Sequence, residues 1–503
     1  MMIQNAFPKI ALNNKKIAIV DSAGVHTYHK VDARINLFAA GILGDKRDIQ
    51  EERVAFLIPA SQDYVTVLIG IWRAGGIAVP LNIASAEDEL HHYLSSIGVT
   101  RLIANYEDHG KLYRLCGELG IQLLTVDDVL AERCNELPRL SQERSALILF
   151  TSGTTSKPKG VLTTHKAIRA QILTLLDAWR WSVEDVIPLF LPLHHVHGII
   201  NVLCCALWSG ATVHMMPKLD LENICSKVIS DTFSLFMAVP TIYVKLIEHL
   251  ENQNIDLAQA IGDGFGRMRL NVSGSAACPV NVFNQWKAKT GQILLERYGM
   301  TEVGMAISNC YVGERRAGFV GQALPGVTVR LFDECDVPVT AEKIPGEIRM
   351  KGDNLFKEYW NNPKATQEAF KDGWFCSGDI AVIEDGYFRI MGRSSIDIIK
   401  SGGYKLSALE IEGVLLTHEN IAEVAVIGLP DDTWGEVVVA CVCLRAGTQL
   451  EYVDLKNWCI EKMSAYKIPK RIKVLDSLPR NAMGKVTKSS LKGKLQLRSP
   501  AAK

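Results

Sequence analysis

The amino-acid sequence predicts an α/β protein with a large N-terminal domain and a small α+β C-terminal domain. Its 503 residues exceed the length at which one apolar core usually stops growing, so we expect more than one domain. The first 150 residues alternate short apolar runs with longer helical patterns, which is typical of parallel α/β subdomains. Near Gly318 the sequence becomes rich in Gly, Pro and Asp, which predicts a β-rich subdomain within the large domain.

Four segments carry the alternation along the large domain. The apolar run at 53–59 predicts a strand, and the amphipathic pattern at 62–74 predicts the helix that follows it. Two later apolar runs, at 213–216 and 234–239, predict further strands of the same kind. This order of strands and helices predicts a sheet with helices on its faces.

The domain boundary is predicted in a polar segment after Gly392. Residues 393–397 are mostly polar and lead into a compact mixture of predicted helices and strands. Such segments are by default connectors between domains. We therefore predict an N-terminal domain at 1–393 and a C-terminal domain at 394–503.

The composition is that of a packed globular protein and gives no sign of a polyanionic partner. Hydrophobic residues make up 48% of the chain, and 55 basic residues balance 55 acidic ones, so neither nucleic acid nor an anionic membrane is expected as a partner. The apolar runs are shorter than a membrane span. The 12 cysteines form no C-x-x-C pair, and with the N-terminal sequence they favour a cytoplasmic location.

A loop dense in hydrogen-bond donors follows the apolar run 146–150. Hydroxyls, backbone N–H groups and two lysines concentrated in ten residues suit a polyphosphate, and a helical pattern comes next. We predict the order strand, anion loop, helix, against the alternative of an ordinary solvated turn. A Walker A loop is excluded because Pro158 stands where that motif needs glycine. The loop reads Thr151-Ser152-Gly153-Thr154-Thr155-Ser156-Lys157-Pro158-Lys159-Gly160.

This loop and five further motifs resemble the adenylate-forming superfamily of acyl-CoA synthetases, luciferases and peptide-synthetase adenylation domains. The motifs stand in the family's order, and the resemblance covers nearly the whole chain. The further motifs are Leu191-Pro192-Leu193-His194-His195, Glu296-Arg297-Tyr298-Gly299-Met300-Thr301-Glu302, Ser377-Gly378-Asp379, Gly392-Arg393 and Leu478-Pro479-Arg480-Asn481-Ala482-Met483-Gly484-Lys485.

The resemblance implies an ATP-dependent ligase that activates a carboxylic acid as its acyl adenylate and passes the acyl group to a thiol, with coenzyme A favoured. A carboxylate is a poor acyl donor because oxide is a poor leaving group, and adenylation replaces oxide with AMP. Bringing two anions together needs charge neutralisation at the site. By resemblance Lys485 bridges the carboxylate and the α-phosphate, Glu302 holds Mg²⁺, and Thr154 is the third catalytic residue.

The resemblance also implies a set of nucleotide-binding residues. Asp379 binds the ribose hydroxyls, Arg393 supports ribose or phosphate, and Tyr298 offers a ring to adenine. The residues so implied in binding ATP or AMP are Thr151, Ser152, Gly153, Thr154, Thr155, Lys159, Gly274, Ser275, Ala276, Glu296, Arg297, Tyr298, Gly299, Met300, Thr301, Asp379, Arg393 and Lys485.

The small domain is expected to be mobile, because Lys485 is distant in sequence from the phosphate loop and must be brought to it. In the family this domain turns after adenylation and presents another face to the thiol. That face is implied to bind coenzyme A through Lys400, Gly402, Gly403 and Tyr404.

Three segments resemble malonyl-CoA synthetases in particular and favour malonate as the acid. Malonate has a second carboxylate that needs a cation in the pocket, and we predict that Arg269 grips it, against the alternative of a salt bridge beside a strand. The other predicted substrate-binding residues are His195, His197, Ser273, Ser275 and Met300. The segments are 194–198, 269–276 and 400–406.

Several other functions stay open. They are a synthetase for another short-chain acid or dicarboxylate such as methylmalonate, an adenylation module that loads a carrier protein, and a non-catalytic nucleotide-binding protein. A metal site at the three histidines is disfavoured because no further ligand stands at metal-binding spacing. A hydrolase is disfavoured because G-x-S-x-G is absent. The glycine-rich run 262–266 is predicted to be a loop.

Overall fold

The computed structural model describes residues 15–131, 136–151, 158–402, 404–431, 433–480 and 486–496. Within them the chain alternates strands and helices over its first two thirds and then becomes mainly strand. The strands are β1 (Ile17–Asp21), β2 (Gly24–Thr27), β3 (Arg53–Leu57), β4 (Ile77–Pro80), β5 (Arg101–Ala104), β6 (Gln122–Leu124), β7 (Ser145–Thr151), β8 (Lys159–Thr164), β9 (Val186–Leu189), β10 (Thr212–Met215), β11 (Leu235–Ala238), β12 (Leu270–Ser273), β13 (Leu295–Met300), β14 (Gly304–Ser308), β15 (Gln322–Ala323), β16 (Val327–Phe332), β17 (Pro338–Val339), β18 (Gly346–Gly352), β19 (Glu358–Tyr359), β20 (Phe370–Lys371), β21 (Trp374–Glu384), β22 (Tyr387–Arg393), β23 (Ile398–Ser401), β24 (Tyr404–Ser407), β25 (Ile421–Asp431), β26 (Gly435–Leu444) and β27 (Arg471–Val474).

The helices lie mainly between the strands of the first two thirds. A π-helix at His197–Cys204 and a 3₁₀-helix at Ala465–Lys467 add to them. The α-helices are α1 (Tyr28–Leu43), α2 (Gln62–Arg73), α3 (Glu87–Ile97), α4 (Tyr106–Leu119), α5 (Val126–Val129), α6 (His165–Ala178), α7 (Cys205–Ser209), α8 (Leu221–Ile229), α9 (Pro240–Glu251), α10 (Ile255–Arg267), α11 (Val280–Thr290), α12 (Pro363–Glu368), α13 (Ala408–Leu415), α14 (Tyr452–Ile460) and α15 (Lys488–Gln496). Among the described residues no helix is long and apolar enough to cross a bilayer.

A seven-stranded sheet in the order β19-β8-β7-β4-β3-β5-β6 carries the ends of the predicted phosphate loop. Strands β3 to β7 pair in parallel through apolar residues, as predicted, whereas β8 runs antiparallel to β7. The predicted order of strand, loop and helix is therefore wrong, because β8 intervenes before α6. The short run 159–164 pairs with β7 as soon as the chain turns back, and the helix begins only at His165.

Two further sheets continue the α/β pattern. One has the order β2-β1-β10-β9 and the other the order β11-β12-β13-β14-β15. In the second sheet β11, β12 and β13 are parallel, while β14 and β15 are antiparallel additions. The carboxyl end of β12, at Ser273, lies beside Glu296 near the start of β13, and ligands bind beyond the carboxyl ends of strands in open α/β sheets.

The predicted β-rich subdomain is an antiparallel sheet formed by β16, β17, β18, β20, β21 and β22. Beyond it, β23 to β27 form a separate five-stranded sheet. The two larger apolar clusters of that last sheet contain only residues from Ile399 onward, whereas the three largest clusters of the preceding sheets end at Phe388 or earlier. A small cluster of Val382, Met391 and Ile398 connects the two regions. We keep the domain boundary after Arg393 as a proposal that agrees with this division.

The glycine-rich run 262–266 is not a loop, as the sequence predicted, but part of helix α10. Its three glycines face neighbouring backbone. A Cβ atom on Gly262 would lie 2.5 Å from the Lys289 carbonyl oxygen, and one on Gly264 would lie 2.6 Å from that of Val228. Close helix packing, rather than a turn, is what these glycines permit.

Candidate functional site

Asp379 is the point at which two sheets of the N-terminal region meet. The Tyr298 hydroxyl donates to Asp379 Oδ2 at 2.6 Å, and Arg393 Nε donates to Asp379 Oδ1 at 3.0 Å. Asp379 and Arg393 are register partners in β21 and β22, while Tyr298 comes from β13. Each carboxylate oxygen keeps a lone pair for a further donor, such as a ribose hydroxyl. The structure thus brings together three residues predicted to bind the nucleotide.

Glu302 lies in the turn between β13 and β14 and is almost completely buried. Burial raises the pKa of its carboxyl, and a hydrogen bond from the Tyr359 hydroxyl to Glu302 Oε1, 2.8 Å long, opposes that rise. Among the described residues no three His, Cys, Asp or Glu side chains form a metal-binding group. A single carboxylate nevertheless fits Mg²⁺, which usually takes one or two carboxylates together with substrate phosphates.

Arg297 is a buried cation beside the end of β12. It is 3% exposed, and its Nη2 donates to Ser275 Oγ at 3.3 Å, while its Nε has no hydrogen-bond partner among the described residues. Its guanidinium lies so close to Gly274 that a Cβ there would be 2.4 Å from Nε. Burial lowers the pKa of Arg297 to about 9.

The histidines of the 194–197 segment adjoin this arginine. His197 Nδ1 lies 3.2 Å from Ser275 Oγ, and the rings of His194 and His195 are 4.1 Å apart. Burial, followed by the nearby Arg297, lowers the pKa of His197 well below its usual value, and burial lowers that of His194 to about 4. These two imidazoles are therefore neutral at pH 7 and provide polar atoms without charge.

Ser275 contacts both Arg297 and His197 through its hydroxyl, and its backbone has a positive φ. Its φ of 68° lies in the left-handed region, which costs about 1 to 2 kcal/mol for a non-glycine residue. Ser273 just before it is buried, and Ala276 after it is exposed. Strained residues of this kind cluster at ligand sites.

Arg269, predicted to grip the second carboxylate of the substrate, is already paired with a carboxylate of the protein. Its Nε and Nη2 donate to the two carboxylate oxygens of Asp185 at 2.7 and 2.6 Å, and its Nη1 donates to the Trp179 carbonyl at 2.9 Å. Arg269 precedes β12, whereas Ser273 and Gly274 lie at the other end of that strand. The alternative given in the sequence analysis, a salt bridge beside a strand, describes the contacts of this arginine.

The remaining described residues of the 296–301 motif have mixed surroundings. Glu296 points away from solvent, is 4% exposed and accepts the Gly318 N–H at 3.0 Å, and burial raises its pKa to about 8. Gly299 packs against the Gly304 carbonyl, which a Cβ would approach to 2.0 Å. Met300 ends β13, and Thr301 follows it, half-buried, in the turn before Glu302.

The residues predicted to bind coenzyme A lie on an exposed hairpin of the C-terminal sheet. Tyr404 stacks on Tyr466 with ring centroids 4.5 Å apart, and both rings are exposed. Lys400 pairs with Glu334 at 3.4 Å, and Gly402 has a left-handed φ of 57°. Stacked exposed rings beside lysines suit a nucleotide-bearing ligand.

Part of the predicted site lies outside the described residues. Thr151 and Lys159 are register partners at the facing ends of β7 and β8, so the phosphate loop begins and ends at this edge. The predicted residues outside the described part of the chain are Ser152, Gly153, Thr154, Thr155, Gly403 and Lys485.

Sequence reasoning missed three residues that the structure places in or beside these groups. Tyr359 contacts Glu302, Asp185 pairs with Arg269, and Asn201 lies fully buried on the π-helix four residues after His197. A π-helix often marks a functional site, but its register cannot be read from apolar periodicity. None of the three stands in a motif that carries chemistry by itself.

Comparison with known proteins gives one consistent result. The models of two families match the chain, AMP-binding enzyme at residues 9–360 and AMP-binding enzyme C-terminal domain at 410–485. The chain is 40% identical to human mitochondrial malonate–CoA ligase ACSF3 over 518 residues, covering 95% of this chain and 89% of that protein. It is 39% identical to Arabidopsis thaliana malonate–CoA ligase over 480 residues, covering 88% and 78%.

A solved structure agrees with the sequence relatives. ATP-bound MatB from Rhodopseudomonas palustris superposes with a TM-score of 0.87 at 31% identity, covering 98% of this chain and 99% of that one. These comparisons confirm the predicted resemblance, the predicted fold class and the predicted enzyme class, an AMP-forming acid–thiol ligase. The chain belongs to the AMP-binding enzyme family.

Proposed function

We propose that the chain joins malonate to coenzyme A at the expense of ATP, through malonyl adenylate, with AMP and pyrophosphate as the other products. In the first step a malonate oxygen attacks the α-phosphorus and pyrophosphate leaves. In the second step the thiol of coenzyme A attacks the acyl carbon and AMP leaves. The relatives named malonate–CoA ligases support this choice of acid and thiol.

The observation that carries the choice of acid is the unpaired buried charge of Arg297. A guanidinium removed from water costs several kcal/mol unless an anion and further hydrogen bonds compensate it. Among the described residues Arg297 has no carboxylate partner within salt-bridge distance, and its one side-chain hydrogen bond goes to Ser275. A dicarboxylate would supply the missing anion, and the fork of Arg297 suits it in two hydrogen bonds. Arg297 thus replaces Arg269 as the proposed anchor.

The neighbouring groups suit a small polar acyl chain. His197 and Ser275 contact each other beside Arg297, and Ser273 is buried at the end of the same strand. Because His197 is neutral, it can donate or accept a hydrogen bond without adding a second buried charge. Met300 and His195 stay in the proposed pocket as residues of the adjoining segments.

The nucleotide is proposed to lie between this pocket and Asp379. Asp379 and Arg393 would hold the ribose side, and Tyr298 would be fixed next to adenine by its bond to Asp379. Glu302 would hold Mg²⁺, which neutralises phosphate charge when it is bound. Lys485 keeps its proposed role at the α-phosphate, and Lys400, Gly402, Gly403 and Tyr404 keep theirs toward coenzyme A.

The compartment is a further part of the proposal. The sequence favours the cytoplasm, while the ACSF3 relatives are named mitochondrial enzymes. Fractionation of cells that produce the native chain would decide between these locations.

The test is coenzyme A-dependent AMP release from ATP and Mg²⁺ with malonate, methylmalonate, succinate and acetate. We expect malonate to give the highest kcat/KM, and Arg297→Gln to lower it at least about 30-fold, because truncating one partner of a buried charge pair costs about 2 to 5 kcal/mol. Arg269→Gln serves as the matched variant at a half-buried arginine that is already paired, and its folded fraction should keep the preference for malonate. A preference for acetate, or an Arg297→Gln enzyme with unchanged selectivity, would contradict the proposal.

A further inference from the structure

Tyr359 lies between two residues that the proposed function places at the phosphates of ATP. Its hydroxyl donates to Glu302 Oε1 at 2.8 Å. The Lys159 ammonium lies over the face of the same ring, 4.9 Å from the centroid. One side chain therefore contacts both the proposed metal-binding carboxylate and a lysine at the end of the phosphate loop.

The backbone on both sides holds Tyr359 in this place. Strand β19 pairs antiparallel with β8, with Tyr359 opposite Val161, and the Trp360 N–H donates to the Gly160 carbonyl at 2.8 Å. The Tyr359 N–H is itself bonded to Thr366 Oγ1 at 3.0 Å. The ring therefore has a fixed direction relative to the strand that ends the phosphate loop.

The same segment also holds the turn that carries Glu302. The Phe356 N–H donates to the Glu302 carbonyl oxygen at 2.7 Å, and the Phe356 ring lies 4.8 Å from that of Tyr359. Residues 356–360 thus connect Glu302 on one side to β8 on the other. A displacement of Tyr359 would change the position of Glu302 relative to Lys159.

The two contacts of Tyr359 act on different atoms. Its hydroxyl occupies Oε1 of Glu302 and so turns the second oxygen of that carboxylate toward any bound cation, as groups behind metal ligands commonly do. Its ring attracts the Lys159 ammonium through the negative face of the π-system, which limits where that charge can lie. Both effects would set the distance between two positive charges that contact one polyphosphate.

We propose that Tyr359 is a positioning residue for the metal–nucleotide complex: it orients the Glu302 carboxylate toward Mg²⁺ and places the Lys159 ammonium beside the phosphates. This inference rests on the proposed function for ATP and Mg²⁺, but not on the identity of the acid. It assigns Tyr359 no contact with the reacting atoms.

The test measures ATP binding by calorimetry without acid or coenzyme A, once with Mg²⁺ and once with EDTA. Tyr359→Phe removes only the hydroxyl, so we expect the gain in ATP affinity that Mg²⁺ provides to shrink by about 10-fold, in the range seen for groups behind metal ligands. Binding in EDTA should stay within about twofold of the native value. Tyr359→Leu also removes the ring under Lys159 and should weaken ATP binding in both conditions.

Two controls separate this role from a structural one. Tyr452→Phe removes another partly buried hydroxyl, which donates to the Pro469 carbonyl at 3.3 Å far along the chain, and should change neither condition. In a Glu302→Gln background the effect of Tyr359→Phe should vanish, since it acts through that carboxylate. The proposal would be overturned if Mg²⁺ raised the ATP affinity of Tyr359→Phe as much as that of the native chain. It would also be overturned if Tyr359→Phe lowered this affinity gain equally in the Glu302→Gln background. A native chain that binds no ATP would instead refute the proposed function.

Discussion

A half-buried arginine just before one strand and a buried arginine on the neighbouring parallel strand differ mainly in what faces them. Arg269 precedes β12, and Arg297 lies within β13. The register pairs Ser273 with Glu296, so the two arginines are offset by five residues, or about 16 Å along the strands. Arg269 has the Asp185 carboxylate as its partner, whereas Arg297 has a serine hydroxyl. Around Arg269 the protein itself supplies the counter-ion. Around Arg297, about five residues further along the strands, a ligand is expected to supply it.

The electrostatics of the two arginines follow from this difference. Burial acts to lower the pKa of Arg269, but the hydrogen bonds and charge of Asp185 outweigh it, and the pKa is raised. For Arg297 burial has no such opposition, and the pKa falls to about 9. Paired buried charges belong to the fold, and an unpaired one is expected to belong to a binding site.

The largest expected effect is on stability at the paired arginine. Arg269→Gln leaves the Asp185 carboxylate, 2% exposed, without its cation, so the free energy of unfolding should fall by about 3 to 5 kcal/mol. Urea unfolding measures this fall. Arg267→Gln is the matched control, because Arg267 pairs with Asp231 at 2.6 Å on the surface, and it should cost less than about 1 kcal/mol. Lost malonate activity with unchanged stability would restore Arg269 as the substrate anchor.

A second prediction concerns Glu296, which adjoins Arg297 in sequence but faces the opposite side of β13. Burial raises its pKa from 4.5 to about 8, so the folded state binds this proton more tightly than the unfolded state does. The stabilisation is complete below pH 4.5 and is lost as the pH rises through 8, by about 1.4 kcal/mol per pH unit at most. Glu296→Gln mimics the protonated form and should remove about 2 kcal/mol of this decline between pH 6 and 8, in chemical denaturation.

The opposite result would change the view of this region. If native stability does not fall between pH 6 and 8 and Glu296→Gln lowers it at pH 8, Glu296 is ionised in the folded protein. A buried charge on β13 would then persist without a counter-ion among the described residues, and the argument from Arg297 for a second carboxylate on the substrate would fail.

Much of the fold and part of the site could be predicted from the sequence, for physical reasons that these residues illustrate. Parallel strands such as β3 and β4 are buried on both faces, so their apolar runs are easily recognised. The motif residues Asp379, Arg393 and Glu302 come together because of where their strands run. Asp379 lies within β21 opposite Arg393 at the end of β22, and Glu302 follows β13. Strand β8 was missed because its six residues follow a polar loop and precede an obvious helix.

The partner of a charge could not be predicted in the same way. Asp185 is 84 residues from Arg269 in the chain, and no local pattern relates them. Arg297 was assigned to the nucleotide because it shares a motif with Tyr298, although alternate residues of a strand point to opposite faces. Tyr359 is contributed by a two-residue strand that is too short for a periodicity to reveal.

The smallest expected effect concerns Asn201, which sharpens the contrast between paired and unpaired polar groups. It is fully buried on the π-helix, and neither its amide nitrogen nor its oxygen has a hydrogen-bond partner among the described residues. Asn201→Leu should therefore raise the free energy of unfolding of the substrate-free protein by about 1 kcal/mol in urea, because an unsatisfied buried amide is removed. Asn271→Leu is the matched control and should lower it, since Asn271 is equally buried but accepts the Trp286 indole N–H at 3.1 Å. If both variants are destabilised equally, Asn201 has a hydrogen-bond partner such as a buried water. The contrast between paired and unpaired polar groups would then not extend to the π-helix.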